Sequence, residues 1–302
     1  MLKKSIQTYI LMFMLSAMLL NAALMSIVQA EVSVKDDKNN IVVLEQPAER
    51  IISLAPHITE SLFAAGAGDK IIGAVNYSDY PEAAKKIPRV GGYPSADLEK
   101  IISLKPDLVI VWPSGNNLKQ VKKLNAFGIK VFMSEPRYPE DIAKTIQRFG
   151  VLAGTTKVAE KSYQEFLQHY NALKKRFSKK KKVKVFYQIW NKPIMTISGG
   201  HLISEIIELC GGENVFANLD TLTPRISLEA VLASNSEIII SGGMGKARPD
   251  WVEEWRPWQQ LPAVKNEQLY FIDPALMQRV GPRILDGADI LCELLDAARK
   301  ER

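Results

Sequence analysis

Side chains able to bind a ligand recur near predicted strand ends in both halves of the 302-residue sequence. His57 and His201 each begin a predicted helix just after a strand, at matching places in the two halves. Open α/β sheets bind ligands at the carboxyl ends of their strands. Each imidazole could therefore contact a ligand or coordinate a metal, although a histidine at a helix start more commonly bonds to backbone. We expect both side chains to face a cleft and neither to hold a resident metal.

Aromatic side chains follow or close four predicted strands. They are Tyr77, Tyr93, Trp112 and Trp190. A single aromatic at a strand end packs in the core more often than it binds a ligand, but four of them favour a cleft for a large, flat, partly apolar ligand. If each ring buries about 150 Å² at ~25 cal/mol/Å², four contribute about 15 kcal/mol, before association costs of ~4–15 kcal/mol.

Strand and helix patterns alternate along the chain and then begin again. After a predicted hairpin around residues 36–40 and a buried strand at 51–54, the first half alternates through "IIGAV", "DLVIVW" and "IKVFM" with helices between them. The second half restarts with "VKVFYQIW" and continues through "EIIISGG" and "QLYFID" to a last helix near 283–298. This alternation predicts an α/β fold of two Rossmann-like lobes, each with a parallel sheet, and a ligand cleft between them.

One stretch occurs in both halves. "DLEKIISLKPDLVI" at 97–110 aligns without a gap to "SLEAVLASNSEIII" at 227–240, which places Glu99 opposite Glu229. Asp97 and Ser227 are good helix N-caps, so each glutamate falls in the first helical turn. The helix dipole alone accounts for ~0.3–1 kcal/mol at each position.

A helical segment separates the halves. Between residues 138 and 182 no strand pattern occurs, and Phe166, Tyr170, Leu173 and Phe177 follow a helical spacing. A helix from 157 to 177 would be about 30 Å long and would connect the lobes stiffly. Its basic end suits the helix dipole, and we expect no nucleic-acid partner. We therefore predict an N-terminal lobe over 31–137, a linker helix region over 138–182 and a C-terminal lobe over 183–302.

The first 30 residues predict export. Lys3 and Lys4 precede an uncharged apolar stretch that ends at Ala30, which is typical of a signal peptide, with an uncleaved membrane anchor as the alternative. The remaining chain has 37 basic and 33 acidic residues, a balance that indicates no particular partner. Cys210 and Cys292 are the only cysteines, and in an exported chain they most simply form a disulfide, with two buried thiols as the alternative.

Several motifs resemble one known family. "NYSDYP", "LKPDLVI", "LCGGENVF" and "QRVGPRI" are similar to segments of the periplasmic cobalamin-binding proteins of ABC importers, and the similarity covers nearly all of the chain after residue 30. These proteins belong to the substrate-binding proteins with a helical backbone, which also carry haem and ferric siderophores. The resemblance implies two lobes joined by one long helix.

The resemblance also implies roles for individual residues. Tyr77, Tyr93, Trp112 and Arg279 match positions that line the corrinoid cleft, the two cysteines match the family's disulfide, and Glu99 and Glu229 match glutamates that meet arginines on the two halves of the permease. The sequence departs from the family at Thr223, where a tryptophan is usual, and at 273–277, which lacks the expected acidic and aromatic residues.

We therefore expect a periplasmic protein that binds cobalamin or a related corrinoid and delivers it, as a monomer, to an inner-membrane ABC permease and its ATPase. Haem or a ferric siderophore is the alternative ligand, for which His57 or His201 could ligate iron. An exported enzyme is a third hypothesis, but the sequence specifies no set of nucleophile, base and orienting residue. We expect no cofactor other than the transported ligand.

Overall fold

The structure, a computed structural model, describes residues 31–92, 95–243 and 249–300. The predicted signal peptide and Tyr93 lie outside these ranges. Within the described ranges, no helix is both long enough and apolar enough to cross a membrane.

The N-terminal lobe begins with a hairpin and continues as alternating strands and helices. Its elements are β1 (Val32–Lys35), β2 (Ile41–Leu44), β3 (Ile51–Ser53), α1 (Pro56–Ala64), β4 (Ile71–Ala74), α2 (Leu98–Ser103), β5 (Leu108–Val111), α3 (Leu118–Ala126) and β6 (Lys130–Met133). Strands β1 and β2 are antiparallel, and the other four form a parallel sheet in the order β4-β3-β5-β6.

Two helices connect the lobes. They are α4 (Pro139–Ala153) and α5 (Thr156–Phe177), and α5 confirms the long helix predicted from the apolar spacing. Gly154 ends α4 with a φ of 69°, a left-handed conformation that glycine adopts easily. At the far end of α5, Arg176 pairs with Glu293 at 2.8 Å, and Lys180 pairs with Asp296. The basic segment is thus partly neutralised by carboxylates of the last helix.

The C-terminal lobe repeats the alternation. Its elements are β7 (Val183–Gln188), α6 (Leu202–Leu209), β8 (Gly212–Asn214), α7 (Leu228–Ala233), β9 (Ile238–Ser241), α8 (Pro262–Lys265), β10 (Leu269–Phe271), α9 (Pro274–Met277) and α10 (Ile284–Lys300). The four strands are parallel and lie in the order β10-β9-β7-β8.

Both parallel sheets have the same topology. In each, the first strand along the chain lies between the second and the third, and the fourth lies beyond the third. The repeated sequence stretches form matching units, α2 with β5 and α7 with β9. The two-lobed α/β fold predicted from the sequence is confirmed.

The sheets bury both faces. Alternate residues of a strand point to opposite faces, and in β5 Leu108 and Ile110 join the central core while Val109 and Val111 join a cluster under α2 and α3. The central core is continuous between the lobes, since one cluster contains Ile51 of β3, Phe166 of α5 and Val185 of β7. The lobes therefore share one packed interior, which opposes large hinge motion.

A disulfide joins Cys210 to Cys292 with their Cα atoms 4.5 Å apart, as predicted. It ties the end of α6 to α10, and both sulfur atoms lie in the central core. The bridge closes a loop with a sequence separation of 82, which the chain-entropy estimate values at ~4 kcal/mol.

Candidate functional site

Trp112 and His57 meet at the carboxyl edge of the N-terminal sheet. Trp112 directly follows β5, and His57 is the second residue of α1. Their ring centroids are 5.3 Å apart with an interplanar angle of 89°. This is the edge-to-face arrangement that aromatic pairs prefer. Gly115 permits the turn after Trp112, because a Cβ there would lie 1.9 Å from the indole ring.

His57 is buried and uncharged at neutral pH. Only 5% of its surface is exposed. Burial, together with the positive charge of Arg279, lowers the pKa of His57 to about 4. Within the described part of the chain, Nε2 of His57 has no hydrogen-bond partner. The predicted contact of His57 with a ligand remains a prediction.

Glu135 holds Trp112 in place. The indole Nε1 of Trp112 donates to Oε1 of Glu135 at 3.0 Å, while Ser114 donates to Oε2 through its backbone N–H at 3.0 Å and its hydroxyl at 2.7 Å. The backbone N–H of Glu135 donates to Asp37 in the β1–β2 turn at 2.6 Å. The hairpin thereby supports the carboxylate that orients the aromatic side chain.

Four charged side chains form ion pairs between the lobes. We call them the junction cluster: Glu60 of α1, Asp79, and Arg279 and Arg283 between α9 and α10. Arg283 donates to both carboxylate oxygens of Glu60, at 2.9 and 2.7 Å. Arg279 donates to Glu60 at 3.1 Å and to Asp79 at 2.6 Å. The side chain of Glu60 is only 2% exposed, so this is a buried connection.

Of this cluster, only Arg279 was predicted from the sequence to line the site. The two arginines lie 219 and 223 residues from Glu60, and no local pattern links such distant positions. Burial opposes ionisation of Asp79, but the hydrogen bond and charge of Arg279 prevail and lower its pKa below the usual value.

Tyr77 projects from the same edge. It follows β4, is 74% exposed and has a φ of 64°. A left-handed conformation is rare for a residue with a bulky side chain, costs roughly 1–3 kcal/mol and concentrates at functional sites. Nearby, the guanidinium of Arg283 lies 3.9 Å from the ring centroid of Tyr80, a cation–π contact. Tyr77 and Tyr80 thus add two exposed aromatic side chains after β4.

His201 and Trp190 belong to the C-terminal lobe. His201 is the N-cap of α6, and its Nδ1 accepts from the backbone N–H of Ile203 at 3.1 Å. Burial and the charge of Arg137, which belongs to the other lobe, lower the pKa of His201 to about 4. Trp190 packs edge-to-face on Trp251 of its own lobe, with centroids 5.5 Å apart. The ligand contacts predicted for both residues remain predictions.

An open pocket of about 470 Å³ lies beside Trp190 in the C-terminal lobe. It is lined by Asn191, Lys192, Pro193, Ile194, Leu228, Glu254, Trp255 and Trp258. Glu254 accepts hydrogen bonds from Asn191 at 3.2 Å and from Lys192 at 3.4 Å. Three polar side chains that line this pocket are therefore hydrogen-bonded to one another within the lobe.

The chain matches a known protein family over most of its length. The family described as "Periplasmic binding protein" matches residues 51–276, most of the chain. The chain belongs to the periplasmic binding protein family. This confirms the family predicted from the sequence motifs, and it is a family of substrate-binding proteins.

Individual proteins of known function and known structure are similar to this chain. The vitamin B12-binding protein of Vibrio cholerae serotype O1 is 37% identical over 256 residues, which cover 84% of this chain and 92% of that protein. The crystal structure of periplasmic vitamin B12 binding protein BtuF of Vibrio cholerae has a TM-score of 0.77 at 36% identity, over 84% of this chain and 99% of that one. The periplasmic haem-binding protein HutB of Vibrio cholerae has a TM-score of 0.70 at 22% identity, over 82% of this chain and 98% of that one, which shows a shared fold alone.

The two repeated glutamates of this periplasmic binding protein lie on matching surfaces. Glu99 and Glu229 are the second residues of α2 and α7, and both are exposed. Hydrogen bonds to its own backbone and to Ser227 lower the pKa of Glu229. Thr223, one of the departures from the family pattern, is exposed as well.

The site suits binding. Aromatic rings and a neutralised charge cluster can contact a flat ligand, while Nε2 of the buried His57 has no hydrogen-bond partner among the described residues. In the same described ranges, no three His, Cys, Asp or Glu side chains gather in a way that could hold a metal ion.

Proposed function

We propose that this protein binds vitamin B12 or a related corrinoid in the periplasm and delivers it to an ABC permease without catalysing a reaction. The observation that carries the proposal is the 37% identity over 84% of the chain to a vitamin B12-binding protein. Further support comes from the paired rings of Trp112 and His57, the exposed Tyr77 and the arginine between the lobes, which are the kinds of side chain that a corrinoid site would use.

Titration of the purified chain with cyanocobalamin in a calorimeter tests the ligand. We expect micromolar or tighter binding, and Trp112→Ala is expected to weaken it by ~2–4 kcal/mol, as truncation of an aromatic hot spot does. Phe127→Ala is the matched control, since Phe127 is exposed at the end of α3. Absence of heat and of competition at high micromolar ligand would exclude corrinoids.

The colour of protein purified from its native host separates the alternatives. Corrinoids, haem and catecholate iron have different absorbance spectra, so the co-purified ligand identifies itself. A haem spectrum would favour the second ligand class on the same scaffold. Turnover of a cleft-bound compound would instead favour an enzyme.

Glu99 and Glu229 are proposed to dock the protein on the permease. A protein with two similar lobes that binds a twofold partner presents the same patch twice, and α2 and α7 place one exposed glutamate on each lobe. Arginines on the permease would pair with them, whereas reversed charges would repel such arginines.

Charge reversal tests this docking. We expect Glu99→Arg combined with Glu229→Arg to abolish corrinoid uptake while ligand affinity remains that of wild type and folding is retained, at a stability cost of about 1–2 kcal/mol for the two lost helix-dipole interactions. The matched control, Glu45→Arg with Glu208→Arg, changes an exposed glutamate in each lobe and should leave uptake intact. Normal uptake by the first double variant at normal expression would refute the docking role.

Export is part of the same proposal. The chain would reach the periplasm after cleavage behind Ala30 and act there as a monomer. Mass spectrometry of the periplasmic protein should find Glu31 at the N-terminus, and light scattering should give the mass of one chain. An intact N-terminus in the membrane fraction would instead support an uncleaved anchor.

A further inference from the structure

The junction cluster is electrically balanced. It contains two carboxylates, Glu60 and Asp79, and two guanidiniums, Arg279 and Arg283, and each guanidinium already donates to at least one of the carboxylates. An arginine without a carboxylate partner at a binding site would ordinarily attract an anionic ligand. Here the positive charge is satisfied by the protein itself.

Asp79 is the member of the cluster that is most accessible to a ligand. Its side chain is 42% exposed, compared with 19% for Arg279 and 16% for Arg283. It also lies two residues after Tyr77, whose ring is largely exposed at the same edge. A ligand that approaches Tyr77 and this cluster from solvent therefore meets the carboxylate of Asp79 before it meets the guanidiniums.

The peripheral groups of the ligand determine whether its contact with the carboxylate of Asp79 is attractive or repulsive. A corrin ring carries neutral carboxamides, whose N–H groups can donate to the carboxylate of Asp79. A haem carries ionised propionates, whose negative charges would repel the partly buried carboxylate of Asp79.

We propose that Asp79 makes the cleft selective for a tetrapyrrole-type ring with neutral carboxamides over one with ionised carboxylates. This inference rests on the proposed function, because it assumes that a corrinoid occupies the cleft. Asp79 would exclude acidic rings, and Arg279 would hold its carboxylate in place through the 2.6 Å hydrogen bond.

Cyanocobalamin and its monocarboxylic acid derivatives provide the test, because each derivative replaces one peripheral carboxamide with a carboxylate. Affinities are measured at pH 7 for the wild type, Asp79→Asn and Asp79→Ala. For at least one isomer, we expect the wild type to bind the acid about tenfold or more weakly than cyanocobalamin. Both variants should reduce that ratio to about threefold or less, since the opposing charge is gone.

Glu82→Gln is the matched control. It removes one negative charge three residues along the same loop, from a side chain that is 82% exposed and pairs with Lys85, so the wild-type ratio should persist. Thermal melting of each variant confirms folding, and the ratio of two affinities cancels a general loss of binding.

Different results would overturn the selectivity of Asp79 and the proposed binding of corrinoids. Equal acid-to-amide ratios in the wild type and both Asp79 variants, for every isomer, would overturn the selectivity of Asp79 while corrinoid binding stands. No binding of cyanocobalamin by the wild type would overturn the proposed function and this inference together.

Discussion

The two lobes share a strand order but bring opposite charges to their junction. The N-terminal lobe contributes Glu60 and Asp79, and the C-terminal lobe contributes Arg279 and Arg283. Repetition thus fixes the backbone, whereas the contacts between the lobes depend on residues that differ between the copies. The disulfide belongs to the C-terminal lobe alone.

Away from the junction, the copies keep equivalent local interactions. Asp107 accepts from the backbone N–H of Arg50 at 2.9 Å, and Glu237, its counterpart, accepts from that of Lys184 at 2.7 Å. In each lobe an acid before the third strand thereby fixes the start of the first. Lys105 and Asn235, also counterparts, both have a positive φ, of 46° and 50°.

Breaking the junction should have the largest effect on stability. Glu60→Leu leaves Arg283 without its buried carboxylate, and removing one partner of a buried ion pair costs ~3–5 kcal/mol. Urea unfolding monitored by circular dichroism measures this loss. Glu82→Leu, which removes an exposed partner of Lys85, should cost no more than ~1 kcal/mol. A loss below ~1 kcal/mol for Glu60→Leu would mean that the cluster does not hold the lobes together.

The comparison of the lobes also shows what the sequence could and could not predict. Apolar runs and helical spacing were sufficient for most strands and for α5, because burial imposes those periods on the sequence. Strand β8 was missed, since Gly212–Asn214 is short and lacks an apolar alternation. Only the repeat could have revealed it, because β8 occupies the place that β4 has in the first sheet.

The candidate site was predictable only in part. Aromatics at strand ends are visible in a single sequence, so Tyr77 and Trp112 could be named. Glu60 could not, because its function depends on partners more than 200 residues away, and one glutamate among 33 acidic residues has no distinguishing local pattern. Contacts between distant segments require the fold.

The histidines of the two lobes predict a shared dependence on pH. The folded pKa of His57 is about 4 and the unfolded value is about 6.5, so between these values the unfolded state binds more protons. Stability is then full above pH 6.5 and falls as the pH decreases toward 4. For His57 the loss between pH 7 and pH 5 is about 2 kcal/mol.

His57→Gln should remove this part of the pH dependence, measured as urea unfolding at pH 7 and pH 5. His201→Gln should reduce it in the same direction, since burial also lowers the pKa of His201. His169→Gln is the control, because the side chain of His169 is 38% exposed and lies 3.0 Å from the carboxylate of Asp289. Wild-type pH dependence in His57→Gln would show that this imidazole titrates normally in the folded protein.

The support of Trp112 is specific to the N-terminal lobe, and its loss should have a moderate effect on the ligand. Glu135→Leu removes the acceptor of the indole N–H, and the freed ring should weaken cyanocobalamin binding by ~1–2 kcal/mol. Glu135→Gln keeps an acceptor oxygen and should bind within ~0.5 kcal/mol of wild type. Equal affinities for Glu135→Leu and Glu135→Gln in calorimetry would exclude a role of the carboxylate in orienting Trp112.

The smallest expected effect on stability is the loss of an N-cap at the start of α2 or α7. Asp97 accepts from the backbone N–H of Lys100 at 3.0 Å, and Ser227 accepts from that of Ala230 at 3.2 Å. Loss of either N-cap should cost ~1 kcal/mol, and the two losses should add because the caps lie in different lobes. Asp97→Ala should cost slightly more than Ser227→Ala, since a carboxylate also interacts with the helix dipole. Asp97→Ser should therefore fall between wild type and Asp97→Ala. If Asp97→Ser unfolds at the same urea concentration as wild type, the charge contributes nothing and the two copies are energetically equivalent at this position.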